Sequence, residues 1–329
     1  MKSIKDKLKK IDGFVLLYES YARFRQKDAT CEQQRVFGLA NPSKTFYVIR
    51  TERPITGLMG LHNCVLTHIS YAVEKGYIPV VDLKNHLTMY HEEGDLGKVN
   101  IWETYFEQPT PYTLEDAYKS SRVILSCHGK QDMPNGHNVM DSKQDIMRCN
   151  QLMNQYMKYN KETRNLLEEE EALLRKRANG KKILGVCCRG SDFLTLQPSQ
   201  HSVPYTAEQT IALVKEKLQE WNEYELIYLA TEDESVLETF QREFEESGNL
   251  YYLDCQRFPS NTNNRLLAEI SFEREHDKYL KGLEYLKTIY LLSKCDSAIA
   301  PQVGGTVAAF RMNGNEYEHA IIIENGKYQ

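Results

Sequence analysis

Short apolar runs alternate with longer segments of helical periodicity along the second half of the chain. Lys182-Ile-Leu-Gly-Val-Cys-Cys188 predicts a strand buried on both faces, and Thr206-Ala-Glu-Gln209 has the spacing of a capping box that opens a helix. Further strands are predicted at 225–230, 249–254, 297–301 and 320–323, and helices at 206–221, 234–244, 278–294 and from 304 onward. This alternation predicts a doubly wound parallel sheet, the α/β class.

The first half shows the same α/β pattern. Thr45-Phe-Tyr-Val-Ile-Arg50 is rich in β-forming residues, and Gly57-Leu-Met-Gly60 leads into a helical segment at 61–75. Tyr77-Ile-Pro-Val-Val-Asp82 predicts the next strand, so these segments form a βαβ unit whose two strands are parallel. Another strand is predicted at 122–126. Two such halves facing each other would form a cleft.

Two helical segments frame the domain organisation. Residues 1–26 place lysines among apolar residues at helical spacing, which predicts a basic amphipathic helix docked on the fold, with contact with anionic lipid as the alternative. Residues 141–177 are almost continuously helical in composition, with acidic residues before basic ones, as on a solvated helix face. We place the domain boundary within this helical segment, between residues 165 and 166.

Composition excludes several classes of protein. The chain has 329 residues and a formal net charge of −5, which is enough for two domains and gives no basic surface for nucleic acid. Its eight cysteines include no Cys-x-x-Cys pair, and the N-terminal residues lack the apolar core of a secretory signal, so we expect a cytoplasmic protein. No apolar run approaches the roughly 20 residues that a membrane span needs.

The loops that follow predicted strands carry the candidate chemistry, because ligands of open α/β sheets bind outside the carboxyl ends of the strands. Four loops are expected to meet in one cleft: Arg189-Gly-Ser-Asp192, Thr231-Glu-Asp233, Pro301-Gln-Val-Gly-Gly-Thr306 and Gly57-Leu-Met-Gly60. Arg189 could bind phosphate through its planar guanidinium or simply pair with Asp192, and the spacing leaves both open. Gly304 and Gly305 before a helix either present backbone N–H groups to a diphosphate or form a plain turn.

Several common motifs are absent from the sequence. The phosphate loop of nucleotide hydrolases, the dinucleotide-binding glycine motif, the Gly-x-Ser-x-Gly elbow and His-Glu-x-x-His do not occur. There is no Asp-x-Asp pair, and the nine histidines show no ligand spacing, so we expect no metal site. The charge on a leaving diphosphate would then be met by arginine and by helix N-termini.

Three segments of the second half carry a family resemblance, and the first of them is Val186-Cys-Cys-Arg-Gly-Ser-Asp192. This segment resembles the first motif of the superfamily of α-1,6- and protein O-fucosyltransferases, which includes the Nod-factor fucosyltransferases. Ile227-Tyr-Leu-Ala-Thr-Glu-Asp-Glu234 resembles the second motif, and Leu291-Leu-Ser-Lys-Cys-Asp296 with the Gln302-Val-Gly-Gly305 loop resembles the third. The first half is similar to bacterial surface-polysaccharide proteins that share this C-terminal half.

The resemblance implies a GT-B fold, with two Rossmann-like domains facing a cleft: an acceptor-side domain at 1–165 and a donor-binding domain at 166–329. It implies inverting, metal-independent transfer of a sugar, fucose from GDP-fucose, to a glycan acceptor in surface polysaccharide synthesis. The implied enzyme needs no cofactor and is cytoplasmic or membrane-peripheral. Arg189 corresponds to the arginine on the donor β-phosphate, and Asp192 either orients Arg189 or accepts the acceptor's proton. The other expected donor contacts are Gly190, Thr231, Asp233, Gly304, Gly305 and Thr306.

The departures from the family pattern keep alternatives open. Cys187 stands where the family has a histidine that helps hold guanine, and Gly190 stands where it has a second arginine. The family acid on the long helix falls near Thr288, and Phe193 and Gln197 replace the residues of a proton relay. The alternatives are a non-catalytic sugar-nucleotide or glycan-binding protein on the same frame, and a transferase that uses a different nucleotide sugar.

Overall fold

The computed structural model describes residues 32–51, 54–127, 142–189, 191–197, 199, 201–244, 248–259 and 270–329. The chain divides into two compact units, one of Met1–Thr56 and Thr67–Asp132 and the other of Gly57–Leu66 and Met133–Gln329. The domain boundary between residues 165 and 166 stays a prediction, and the basic helix at 1–26 lies outside the described residues.

The first unit is built on a four-stranded sheet with the order β1-β4-β2-β3. Its strands are β1 (Gln33–Arg35), β2 (Phe46–Ile49), β3 (Ile78–Val81) and β4 (Val123–Leu125). β2 pairs in parallel with β3 and β4, which confirms the predicted βαβ unit. β1 was not predicted and pairs antiparallel with β4; it is a short polar edge strand, so it lacks the apolar pattern that marks the others.

Two helices accompany this sheet among the described residues. They are α1 (Leu58–Glu74), which connects β2 to β3, and the short α2 (Leu114–Ala117), which starts with a capping box at Thr113. The apolar side chains of the central strands, such as Phe46, Val48 and Val80, form the core of the unit. The first part of α1, up to Leu66, clusters with the second unit.

The second unit contains a fully parallel five-stranded sheet. Its strands are β5 (Lys182–Cys187), β6 (Tyr224–Ala230), β7 (Leu250–Tyr252), β8 (Ser297–Pro301) and β9 (Ala320–Ile323). They lie in the order β7-β6-β5-β8-β9, which confirms the predicted α/β class with a parallel sheet. In chain order this is 3-2-1-4-5, a Rossmann order whose winding direction reverses between β5 and β8.

Seven helices of the described chain belong to this unit. They are α3 (Lys143–Tyr156), α4 (Lys161–Ala178), α5 (Ser191–Leu196), α6 (Ala207–Trp221), α7 (Glu234–Phe244), α8 (Asp277–Ser293) and α9 (Gly304–Asn313). The predicted continuous helix at 141–177 is wrong, because the helix is interrupted between the end of α3 at Tyr156 and the start of α4 at Lys161. Asn160 starts α4 there by accepting a hydrogen bond from Thr163 N over 2.9 Å.

The core of the second unit forms where the sheet meets its helices. Leu184, Val186 and Leu229 are at most 1% exposed, and Phe240 of α7 packs against them. Continuous apolar strands of this kind require cover on both faces, which the helices supply. Within the described part of the chain, none of the helices is both long and apolar enough to cross a bilayer.

Candidate functional site

Two loops flank the point at which the second sheet reverses its winding. β5 ends at Cys187 and is followed by Arg189, while β8 ends at Pro301 and is followed by the start of α9 at Gly304. Both loops leave the carboxyl edge of the parallel sheet, because β5 and β8 are neighbours. Ligands of this kind of sheet bind at such a switch point.

Three side chains hold the Arg189 guanidinium. Its Nη2 donates to Asp192 Oδ2 over 2.8 Å, and its Nη1 lies 3.5 Å from Glu232 Oε2. Its Cζ lies 4.3 Å from the centroid of the Phe193 ring. Its Nε is buried and has no hydrogen-bond partner among the residues that the structure describes. Burial alone would lower the pKa of Arg189, but Asp192 and Glu232 outweigh this effect, so the pKa lies above its ordinary value.

Asp192 is fixed in the interior. Its side chain is 0% exposed, and its two oxygens accept from the Arg189 guanidinium and from Phe193 N, the latter over 2.8 Å. A buried carboxylate with both oxygens engaged has no access to an incoming hydroxyl. Of the two roles that the sequence left open, the geometry favours the orientation of Arg189 over proton abstraction.

Glu232 is the second carboxylate beside Arg189, and it lies on the loop between β6 and α7. Its side chain is 23% exposed. Burial raises the pKa of Glu232 above its usual value; Arg189 opposes this rise, Asp192 adds to it and Lys281 opposes it. The sequence interpretation selected its neighbours Thr231 and Asp233 but missed Glu232, although its place directly after a strand was an available signal.

The two selected neighbours of Glu232 have mainly local hydrogen bonds. Asp233 is 0% exposed, and its Oδ1 accepts from Ser235 N over 2.9 Å and from Ser235 Oγ over 2.7 Å, so it stabilises the first turn of α7. Thr231 Oγ1 accepts from Asp233 N over 3.2 Å. That these two residues contact the nucleotide-sugar donor stays a prediction. The same holds for Gly190, which lies outside the described residues.

The start of α9 presents backbone N–H groups at the other side of the switch point. Its N-cap residue is Val303, whose apolar side chain cannot accept their hydrogen bonds. Gly304 O accepts from Asn63 Nδ2 of α1 over 2.9 Å, so the segment that follows the Gly57-Leu-Met-Gly60 loop contacts this helix start. The first turn of α9 thus combines uncapped donors with the positive end of a helix dipole.

Gly305 lets α9 approach α8 closely. A Cβ at Gly305 would clash with Tyr285 Oη and lie 2.8 Å from Ile289 Cδ1, both on α8. Thr306, the next residue, is 0% exposed and lies in the interior. Gly305 is therefore a packing requirement of this helix pair and more than part of a plain turn.

A narrow cavity beside Arg189 joins the predicted positions. Its lining includes Cys187, Arg189, Thr231, Tyr285, Thr288 and Val303. An adjoining cavity shares Thr231, Glu232, Tyr285 and Thr288 with it and continues toward Phe258, Phe272 and Lys281. Burial raises the pKa of the Cys187 thiol to about 11, so this group is protonated at neutral pH. Two of the departures from the family pattern, Cys187 and Thr288, thus line the same cavity as Arg189.

In the part of the chain that the structure describes, no three His, Cys, Asp or Glu side chains are grouped as metal ligands. Arg189, Thr231 and Val303 at the start of α9 line one cavity, whereas Asp233 and Thr306 are buried and are not among its lining residues.

No family model matches the sequence, and no curated protein matches it. Solved structures similar to this chain include NodZ α-1,6-fucosyltransferase soaked with GDP-fucose, with 16% identity, coverage of 82% of this chain and 93% of that chain, and a TM-score of 0.47. Fucosyltransferase NodZ from Bradyrhizobium has 17% identity, coverage of 81% and 92%, and a TM-score of 0.45. POFUT1 in complex with GDP has 9% identity, coverage of 85% and 99%, and a TM-score of 0.46. These values are too low to establish a family or an activity.

Proposed function

We propose that this chain is a glycosyltransferase that binds the diphosphate of a nucleotide-sugar donor at Arg189 and at the start of α9. The observation that carries the proposal is the position of these two anion-binding elements on either side of the switch point of a 3-2-1-4-5 parallel sheet. The three motifs in order support transfer chemistry on the GT-B frame that they imply.

The proposed reaction breaks the bond between the anomeric carbon of the donor sugar and a diphosphate oxygen, and it forms a bond to an acceptor hydroxyl with inversion. Negative charge grows on the diphosphate as this bond breaks. Asp192 and Phe193 hold Arg189 in place before the reaction, and the first-turn N–H groups of α9 add donors. Such preorganised charge stabilises a transition state by a few kcal/mol. Arginine and the helix start would supply the positive charge that a divalent cation supplies in other transferases.

GDP-fucose is the first donor to test, because the motif resemblance implies it, and the proposed acceptor is a glycan precursor of surface polysaccharide. Cys187 stands where the family has a histidine that helps hold guanine, so the nucleotide base has to be identified by binding measurements. A protein that binds sugar nucleotides without turnover is the second candidate. The pairing of Arg189 with both Asp192 and Glu232 favours it, since this arginine is already neutralised.

The test is a calorimetric titration with GDP-, UDP- and dTDP-linked sugars, followed by an assay for released nucleotide with and without glycan acceptors. We expect one nucleotide class to bind and its nucleoside diphosphate to be released in the presence of an acceptor. Binding without release for every acceptor would support the non-catalytic candidate. No binding of any nucleotide sugar by the folded protein would refute the proposal.

A further inference from the structure

The two carboxylates beside Arg189 differ in how firmly they are held. Asp192 is 0% exposed and lies 2.8 Å from Nη2 of Arg189, whereas Glu232 is 23% exposed and lies 3.5 Å from Nη1. Asp192 also accepts a backbone hydrogen bond from Phe193. Glu232 therefore has the weaker contact and the better access to solvent, and it is the carboxylate that can leave Arg189.

The position of Glu232 matters because two other parts of the guanidinium are already engaged. The Phe193 ring covers one face, and Asp192 takes Nη2. A phosphate group that reaches Nη1 comes close to the Glu232 carboxylate, which lies 3.5 Å from this nitrogen, and the two anions repel each other. The Glu232 carboxylate therefore opposes the binding of a phosphate at Nη1.

A second cation lies near Glu232. Lys281 of α8 lines the same cavity as Glu232, and its positive charge lowers the pKa of this carboxyl. The Lys281 ammonium donates to Ile270 O and lies 5.8 Å from the centroid of the Phe258 ring, which keeps it at the cavity wall. A carboxylate that leaves Arg189 can thus turn to Lys281 without losing a cationic neighbour.

We propose that Glu232 sets the affinity of this site for diphosphates, because its carboxylate competes with them for Nη1 of Arg189 and turns to Lys281 when they bind. The inference rests on the proposed function, since it assigns the diphosphate to Arg189. Glu232 is not the base of this reaction: inverting transfer brings the acceptor to the face of the sugar opposite the diphosphate, and Glu232 lies on the diphosphate side.

The competition depends on pH. Burial raises the pKa of Glu232, so a falling pH neutralises this carboxylate above the usual range for glutamate and releases Arg189. The titratable and charged groups around it are Arg189, Asp192, Cys187, Cys255, Lys281, Glu284 and Tyr285. Removal of the Glu232 charge should therefore matter most at high pH.

The experiment is calorimetric titration of the full chain with inorganic pyrophosphate and with GDP between pH 5 and 8. We expect Glu232→Gln to bind both ligands about tenfold more tightly than the wild type at pH 8, with the difference shrinking as the pH falls and the wild-type carboxylate becomes protonated. Glu225→Gln is the matched control, because Glu225 is an exposed partner of Lys181 at the start of β6, and it should leave the affinity unchanged. Comparison at equal pH cancels protonation of the ligand.

Each result separates the inference from the proposed function. If Arg189→Ala abolishes binding and Glu232→Gln binds no more tightly than the wild type, Glu232 does not compete and the donor site stands. If neither the wild type nor Glu232→Gln binds pyrophosphate or GDP, both proposals are wrong. Glu232→Ala replaces Glu232→Gln if the latter does not fold, with the same expected gain.

Discussion

Gly305→Ala probes the close approach of α9 to α8 at the candidate site. The added Cβ would clash with Tyr285 Oη and lie 2.8 Å from Ile289 Cδ1. Ile289 is 1% exposed and has little room to move, whereas Tyr285 is half-buried and can yield by turning into the cavity. The substitution should therefore displace Tyr285, the start of α9, or both.

The structure sets the size of the effect. Overpacking of a well-packed region costs about 1–3 kcal/mol, and the lower half of this range applies where a partly exposed side chain can give way. Because Tyr285 and Val303 line the cavity with Arg189, movement of either also disturbs the anion-binding groups. We expect Gly305→Ala to lose about 1–2 kcal/mol of stability and to bind a nucleotide sugar about tenfold more weakly.

Gly185→Ala is the matched control for this substitution. A Cβ at Gly185 would lie 2.8 Å from Leu292 Cδ1 and 2.9 Å from Cys295 Sγ, so it overpacks β5 against α8 away from the cavity lining. Urea unfolding and calorimetric titration of both variants make the comparison. We expect both to be destabilised and only Gly305→Ala to lose affinity. Wild-type stability and affinity in Gly305→Ala would show that α8 and α9 can accommodate an added methyl group without cost, which would refute the reasoning.

Two further substitutions test the neighbourhood of the site. Asp192→Asn removes the charge that holds Arg189, so we expect a loss of about 1–3 kcal/mol in urea unfolding and weaker nucleotide binding, and unchanged values for both would contradict the orienting role. Burial lowers the pKa of His62 from 6.5 to about 4. The unfolded chain therefore binds the proton more readily, so stability is complete above about pH 6.5 and falls by roughly 3 kcal/mol as the pH drops to 4. His62→Gln should lack this part of the pH dependence in unfolding measurements from pH 7 to 4, and an identical slope in the variant would argue against a neutral buried histidine.

Most strands were predictable because a parallel sheet is covered on both faces. β5, β6 and β8 are continuous apolar runs, and the structure places them at the centre of the second sheet. The strand β1 has the sequence Gln-Gln-Arg and an exposed edge, so no apolar periodicity marks it. The break between α3 and α4 was missed because the segment around Asn160 keeps a helical composition, although asparagine is a favoured N-cap residue.

The site was predictable only in part, because its contacts join distant segments. Arg189 and Asp192 are three residues apart, so their pairing was one of two open readings of the sequence. The contact of Arg189 with Glu232 depends on the parallel register of β5 and β6, which brings two strand-end loops together. The buried position of Asp233 at the start of α7 had a sequence signal, since aspartate before a helix is a common N-cap.

The close packing around Gly185 and Gly305 was also not predictable from the sequence. Gly185 lies inside a strand and Gly305 at a helix start, and the sequence indicated only a turn or a phosphate-binding helix start for the second. The structure shows that both positions face side chains of α8 at distances that exclude a Cβ. A helix that passes this close to two elements is a tertiary feature, and no local pattern encodes it.

The central claim is that Arg189 holds the diphosphate of a nucleotide-sugar donor. The most direct test is the dissociation constant of the bound nucleotide sugar for Arg189→Ala, with Arg175→Ala as control, since Arg175 forms its contacts with Lys294 O and Asp296 before β8. We expect about 100-fold weaker binding in Arg189→Ala, roughly 2.7 kcal/mol, and wild-type binding in Arg175→Ala. Arg189→Lys serves if the alanine variant does not fold. Equal affinity of the folded Arg189 variant and the control would contradict the claim.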